Sequence, residues 1–302
     1  MAKRDFLQIT DFTTEELKKT FDLAVELKGL TKQGQCPTPL AGKCFATIFH
    51  KASLRTRVSF EVGIAQLGGT AMYITDKEIE LGVRESIPDV ARVLSRYVDG
   101  IVIRTFSHKN IEELAEYSTV PVINALTDFT HPCQVLADLM TIQEHLGTYQ
   151  GKVITYLGDG NNVARSWINA ARRLDFTLRI GTVKETHPGE LVDIAKSEGA
   201  KVEVLNDPFD AVADADVVYT DVWASMGEKE KAGARAELLK NFQINSTLMS
   251  KAKESAIVLH CLPAERGREI TDEVIDGPQS VVFDEAENRL HAQKAILVTL
   301  CG

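Results

Sequence analysis

The chain alternates throughout between short β-rich runs and longer stretches at helical spacing. Parallel strands must be joined by crossovers of a dozen or more residues, usually helices, so this rhythm argues for parallel sheets flanked by helices. Candidate strands fall at 44–49, 100–104, 120–124, 152–157, 177–182, 201–205, 216–220 and 256–260. Helical patterns lie near 56–67, 86–97, 110–116, 132–146, 162–174 and 190–198. Before all of them, Thr13-Thr14-Glu15-Glu16 reads as a capping box opening a helix that runs to about Leu30. The run Gly147-Thr148-Tyr149-Gln150-Gly151 reads as a boundary, because a fresh strand–helix pattern starts at Lys152. The predicted fold is α/β. It has two domains, 1–147 and 148–285, each a parallel β-sheet flanked by helices, and a C-terminal helix, 286–302, crossing back to the first.

Within the helical stretches, 56–67 carries Val58, Val62 and Ala65 on one stripe and Phe60, Ile64 and Leu67 on another. Apolar around much of its circumference, it is expected to be deeply buried. Trp167 belongs to the stripe Val163, Trp167, Ala170, Ala171 and Leu174, which reads as core packing.

The 302 residues suffice for two domains of about 150 each. A formal net charge of -9 disfavours nucleic acid and anionic membrane surfaces as partners, and makes any local arginine cluster more telling. No apolar run approaches the roughly 20 residues of a membrane span. The first dozen residues lack the apolar centre of a secretory leader. Five widely spaced cysteines, with no CxxC and no Cys/His metal spacing, fit a reduced, cytoplasmic protein.

Polar clusters gather where the candidate strands end, the edge at which open α/β sheets bind ligands. Ser53-Leu54-Arg55-Thr56-Arg57 follows an apolar strand and opens a helix. Helix N–H groups, the macrodipole and arginine forks together make an anion cradle there, matched to a phosphate-bearing substrate. Arg104 ends the next strand. His131-Pro132-Cys133-Gln134 opens another helix, with Pro132 suited to its first position. His260-Cys261-Leu262-Pro263 closes a strand. Cys261 is a nucleophile, a proton carrier or an inert thiol. Neighbouring strand residues point to opposite faces, so His260 is poorly placed to serve it. Gly158-Asp159-Gly160-Asn161-Asn162 is similar to a dinucleotide-binding turn but lacks the third spaced glycine. Asp221 precedes Trp223-Ala224-Ser225-Met226-Gly227 and a charged segment ending at Gly233, which is either a lid or a solvated loop. Arg289, in Glu287-Asn288-Arg289, either reaches a phosphate or pairs with Glu285.

In this order, S-x-R-T-R, the strand-end arginine, HPxQ, DxxxSMG, HCLP and ENR resemble the aspartate/ornithine carbamoyltransferase superfamily, on its ornithine side, over essentially the whole chain. The resemblance implies a carbamoyl-phosphate-binding domain over 1–147 and an ornithine-binding domain over 148–285. Ser53, Leu54 through its backbone N–H, Arg55, Thr56, Arg104 and Arg289 would hold the phosphate, with Arg57 a structural ion-pair partner. His131 and Arg104 would polarise the carbamoyl carbonyl. Gln134 and the backbone carbonyls of Cys261 and Leu262 would meet its amide. Asn162, Asp221, Ser225 and Met226 would bind the α-amino and α-carboxylate groups of ornithine, and Cys261 and Asp221 would orient its δ-amine. The resemblance further implies citrulline as product, a place in arginine biosynthesis, a homotrimer or multiple of trimers, and no metal or organic cofactor. Two positions depart from the family pattern: Leu54 stands where threonine is usual, and Glu80 where glutamine is common. Rival readings are a sister transferase acting on putrescine or an N-acylated ornithine, and a dinucleotide-binding protein.

Overall fold

Five residues of Cys44–Phe49 are buried in succession, which only a strand covered on both faces allows. This is β1, and it sits inside a parallel sheet. In the computed structural model, which describes residues 3–224 and 229–302 and leaves aside the side chains of 229–232, the chain divides into two compact units. One comprises Met1–Met140 with Glu287–Gly302, the other Thr141–Ala286.

The first unit begins with α1 (Thr14–Lys32), capped by Thr13, whose side chain accepts from the Glu16 N–H. Then come β1, α2 (Leu54–Gln66), β2 (Thr70–Thr75), α3 (Asp76–Ile79), α4 (Ile87–Leu94), β3 (Gly100–Arg104), α5 (His108–Tyr117), β4 (Val122–Leu126) and the start of α6 (Pro132–Leu146). Its four strands lie in the order β2-β1-β3-β4, all parallel. The chain leaves β1 to one side for β2 and crosses back to the other for β3. That reversal opens a crevice at the carboxyl ends of β1 and β3.

The second unit holds β5 (Val153–Leu157), α7 (Asn162–Ala171), β6 (Thr177–Gly181), α8 (Leu191–Ser197), β7 (Lys201–Leu205), α9 (Pro208–Val212), β8 (Val217–Thr220), α10 (Lys229–Leu239), α11 (Ser246–Met249), β9 (Ile257–His260) and α12 (Asp272–Ile275). Its parallel order β7-β6-β5-β8-β9 reverses between β5 and β8. Trp167 is fully buried there, edge-on to Phe176 and Tyr219 at 5.8 and 5.7 Å, as its stripe predicts.

The last helix, α13 (Val282–Cys301), begins four residues earlier than expected and belongs to the first unit from Glu287 onward. Lys294 Nζ donates to Thr31 Oγ1 and Gln66 Oε1, both at 2.9 Å, so one buried ammonium ties α13 to α1 and α2. Gly63 lets the two helices close up: a Cβ at that position would stand 3.2 Å from Lys294 Cγ.

Three expectations need correction. β2 was not foreseen; it is an edge strand with no fully buried residue. Helix α2 is not buried all round: Phe60, Ile64 and Leu67 face the core, but Val58 and Val62 are 45% and 37% exposed and Ala65 is exposed too. The segment ending at Gly233 is not a loop from residue 229 on, because α10 already runs through it.

Candidate active site

The anion cradle starts with a cap. Ser53 has extended backbone and its Oγ accepts from the Thr56 N–H at 3.4 Å. The first N–H groups of a helix have no intrahelical acceptor, so those of Leu54 and Arg55 head α2 at its positive end. The Leu54 side chain is 76% exposed, consistent with a position that works through its backbone.

Two buried guanidinium groups converge on this helix start. Arg104, the last residue of β3, donates from Nη1 to Thr56 Oγ1 at 3.4 Å. Arg289, on α13, donates from Nη2 to the same oxygen at 3.3 Å. A hydroxyl oxygen has two lone pairs and can accept both. Arg289 also donates from Nη1 to Gln134 Oε1 at 2.5 Å. Glu285 accepts from the His260 N–H at 2.8 Å.

His131 belongs to the same group. The turn before it is built by Thr127, whose N–H donates to Thr130 O at 2.9 Å, and by Asn124, whose Nδ2 donates to Thr130 Oγ1 at 3.1 Å. Burial, reinforced by the charges of Arg289 and Arg104, holds the imidazole well below the usual histidine range. It is therefore a neutral ring, able to donate one N–H without adding charge. Arg57 stands apart from the cradle, pairing with Glu61 at 2.8 Å and lying 3.5 Å from the Tyr73 ring centroid. Glu80 is exposed, in a left-handed conformation with φ 41°.

In the second unit the reversal between β5 and β8 gathers another cluster. Asp221 follows β8 and is 8% exposed. Its Oδ2 accepts from Asn161 Nδ2 at 2.7 Å, and its Oδ1 accepts from Cys261 Sγ at 2.9 Å and the Val222 N–H at 2.7 Å. Asn161 caps α7, its Oδ1 accepting from Val163 N, Ala164 N and Tyr156 Oη. Burial, then the nearby Asp221 and Cys261, push the Tyr156 phenol well above its ordinary range. Asn162 is the first residue of α7, and Ser225 and Met226 lie outside the described residues.

In the sequence Asn161 stands out only as a member of the 158–162 turn, with no role of its own. The signal was available, since asparagine directly before a helical stripe is a favoured cap. The glycines of the turn are also explained. A Cβ on Gly160 would lie 2.4 Å from Thr186 O, so glycine there permits two backbones to approach. Asp159 pairs with Arg235.

An arginine-lined cradle at one carboxyl edge and a carboxylate–thiol pair at another define an α/β transferase. Residues 4–144 match the family described as aspartate/ornithine carbamoyltransferase, carbamoyl-P binding domain, and residues 150–300 match its Asp/Orn binding domain. The chain belongs to the aspartate/ornithine carbamoyltransferase family. It is 53% identical to the ornithine carbamoyltransferase of Rhodopseudomonas palustris strain BisA53, covering 100% of this chain and 98% of that one. Among solved structures it is similar to the ornithine carbamoyltransferase of Pyrococcus furiosus, with a TM-score of 0.95 and 49% identity over 100% and 98% of the two chains. The enzyme of Burkholderia thailandensis E264 gives 0.92 and 44% over 99% and 98%.

Proposed function

We propose that the protein transfers the carbamoyl group of carbamoyl phosphate to the δ-amine of L-ornithine, giving L-citrulline and phosphate. The observation that carries this reading is the meeting of Arg104 and Arg289 at Thr56. Two buried guanidinium groups at a helix N-terminus suit an anion, and a phosphate dianion matches both the charge and the fork geometry.

Residues 1–147 and 286–302 would then bind carbamoyl phosphate. The phosphate is held by Ser53, the Leu54 N–H, Arg55, Thr56, Arg104 and Arg289. Gln134 and the carbonyls of Cys261 and Leu262 take the carbamoyl amide. Residues 148–285 would bind ornithine, with Asn162, Asp221, Ser225 and Met226 on its α-amino and α-carboxylate groups.

In the reaction the neutral δ-amine attacks the carbamoyl carbon. A C–N bond forms, the C–O bond to phosphate breaks, and the amine proton leaves on the phosphate. An amine of this type has a pKa near 10.4 in water, so the site must select its neutral form, and exclusion of water favours that form. Arg104 and the neutral His131 stabilise the tetrahedral oxyanion, an effect of roughly 3–4 kcal/mol per well-placed donor.

The reading extends to arginine biosynthesis, the cytoplasm and a homotrimer or multiple of trimers. The exposed apolar flank of α2, with Leu54, Val58 and Val62, supports self-association, since contiguous apolar surface of this kind favours a partner. Among the described residues no helix is long and apolar enough to cross a membrane.

A citrulline assay with carbamoyl phosphate and a panel of amines tests the substrate assignment. Ornithine should be the preferred acceptor. Faster turnover with putrescine or an N-acylated ornithine would replace this reading with a sister activity.

A further inference from the structure

His260 sits in the HCLP motif, yet the reaction above leaves it idle. The ring is fully buried with both nitrogens engaged. The Leu262 N–H donates to Nδ1 at 2.9 Å, so Nδ1 carries no proton. The neutral ring's proton therefore sits on Nε2, which lies 3.1 Å from Glu269 Oε1. The same Glu269 oxygen accepts from the Glu265 N–H at 2.5 Å, and Glu269 is itself fully buried. One carboxylate thus fixes the histidine tautomer, and the histidine fixes the backbone two residues on.

The segment braced in this way is the one carrying Cys261. Leu262 has φ 53°, in the left-handed region where a residue bearing a Cβ is strained. Such a residue relaxes unless its surroundings hold it. The Cys261 thiol, next to it, donates to Asp221 at 2.9 Å.

We propose that Glu269, acting through His260, is a positioning residue that sets the Cys261 thiol and the adjoining backbone for the amine acceptor. The proposal rests on the ornithine reading of this unit. Its test compares Glu269→Ala with Glu269→Gln, whose amide oxygen can still accept from His260 and Glu265. In the alanine variant kcat/KM for ornithine should fall about a hundredfold, while KM for carbamoyl phosphate, whose phosphate the arginine cradle still grips and which loses only the Cys261 and Leu262 carbonyl contacts, should rise by less than about tenfold. The glutamine variant should recover most of the loss.

A second measurement needs no substrate. Alkylation of Cys261, followed by peptide mass analysis, should proceed several-fold faster in Glu269→Ala and in His260→Phe than in the natural protein. Should the alanine variant fail to fold, His260→Phe and Glu269→Gln supply the same comparison. Folded variants that keep both the natural ornithine efficiency and the natural Cys261 alkylation rate would overturn the proposal. So would equal losses for both substrates. A natural protein that makes no citrulline would sink the ornithine reading, and the alkylation rates would then judge the brace alone.

Discussion

Arg289 and Gln134, separated by 155 residues of sequence, meet in a buried hydrogen bond of 2.5 Å whose polarity is dictated from both sides. The guanidinium can only donate, so it takes the amide oxygen. The carboxylate of Asp138, 2.8 Å from Gln134 Nε2, can only accept, so it takes the NH2. Gln134 is thereby locked in one orientation, and it holds Arg289 at the cradle.

Arg289→Lys should expose the value of that geometry. An ammonium cannot span Gln134 and Thr56 as the fork does. Losing one charged hydrogen bond costs about 1.5–3 kcal/mol. The KM for carbamoyl phosphate should therefore rise between about ten- and a hundredfold in steady-state kinetics, and an unchanged KM would contradict the cradle.

Arg55→Ala removes a cation from the head of α2 without touching the core. Carbamoyl-phosphate turnover should fall by about two to three orders of magnitude, as for removal of a preorganised donor at a charged reacting group. Circular dichroism and the melting temperature should not move. Wild-type kinetics in this variant would show that the phosphate binds elsewhere.

Acid should weaken the fold through its neutral buried histidines. Burial, then Lys294 and Lys28, bring His291 down to about 4. The unfolded chain takes up this proton near pH 6.5, the folded one not until about 4. The unfolded state binds more protons in that interval, so stability is intact above pH 6.5 and is lost as pH falls toward 4. His291→Gln should flatten this decline, read as the urea midpoint against pH. A slope identical to that of the natural protein would rule His291 out.

The thiols should divide by environment. Burial pushes Cys133 and Cys301 up to about 12, whereas Cys36 is exposed. At pH 8, iodoacetamide should label Cys36 quickly and leave Cys133 and Cys301 largely unmodified until the protein unfolds. Peptide mass analysis decides the point, and rapid labelling of Cys133 in the folded protein would contradict its placement.

Much of the architecture was legible because local pattern and tertiary demand coincide. β1, β3 and β7 fall where their β-branched and apolar runs place them, and α6 starts at the proline that suits a first turn. β2 escaped because Thr70–Thr75 is a half-exposed edge strand with little apolar contrast between its faces. The flank of α2 was misread because periodicity registers apolar surface without saying whether core or partner will cover it. Single clusters at strand ends marked where to look for the site. Its internal wiring, such as Thr56 serving two arginines or Glu269 gripping His260, was not legible, since it joins residues that only folding brings together.

The close passage of α13 over Gly63 has a thermodynamic corollary. Arg289 is delivered by a helix seated on the one whose first turn forms the cradle, with Lys294 clamping the pair at Gln66. Capture of an anion there requires little ordering of backbone or long side chains, because folding has already frozen them. More of the gross attraction is then left as affinity, and an entropy penalty that flexible surface arginines would incur at each encounter is met once, when the chain folds.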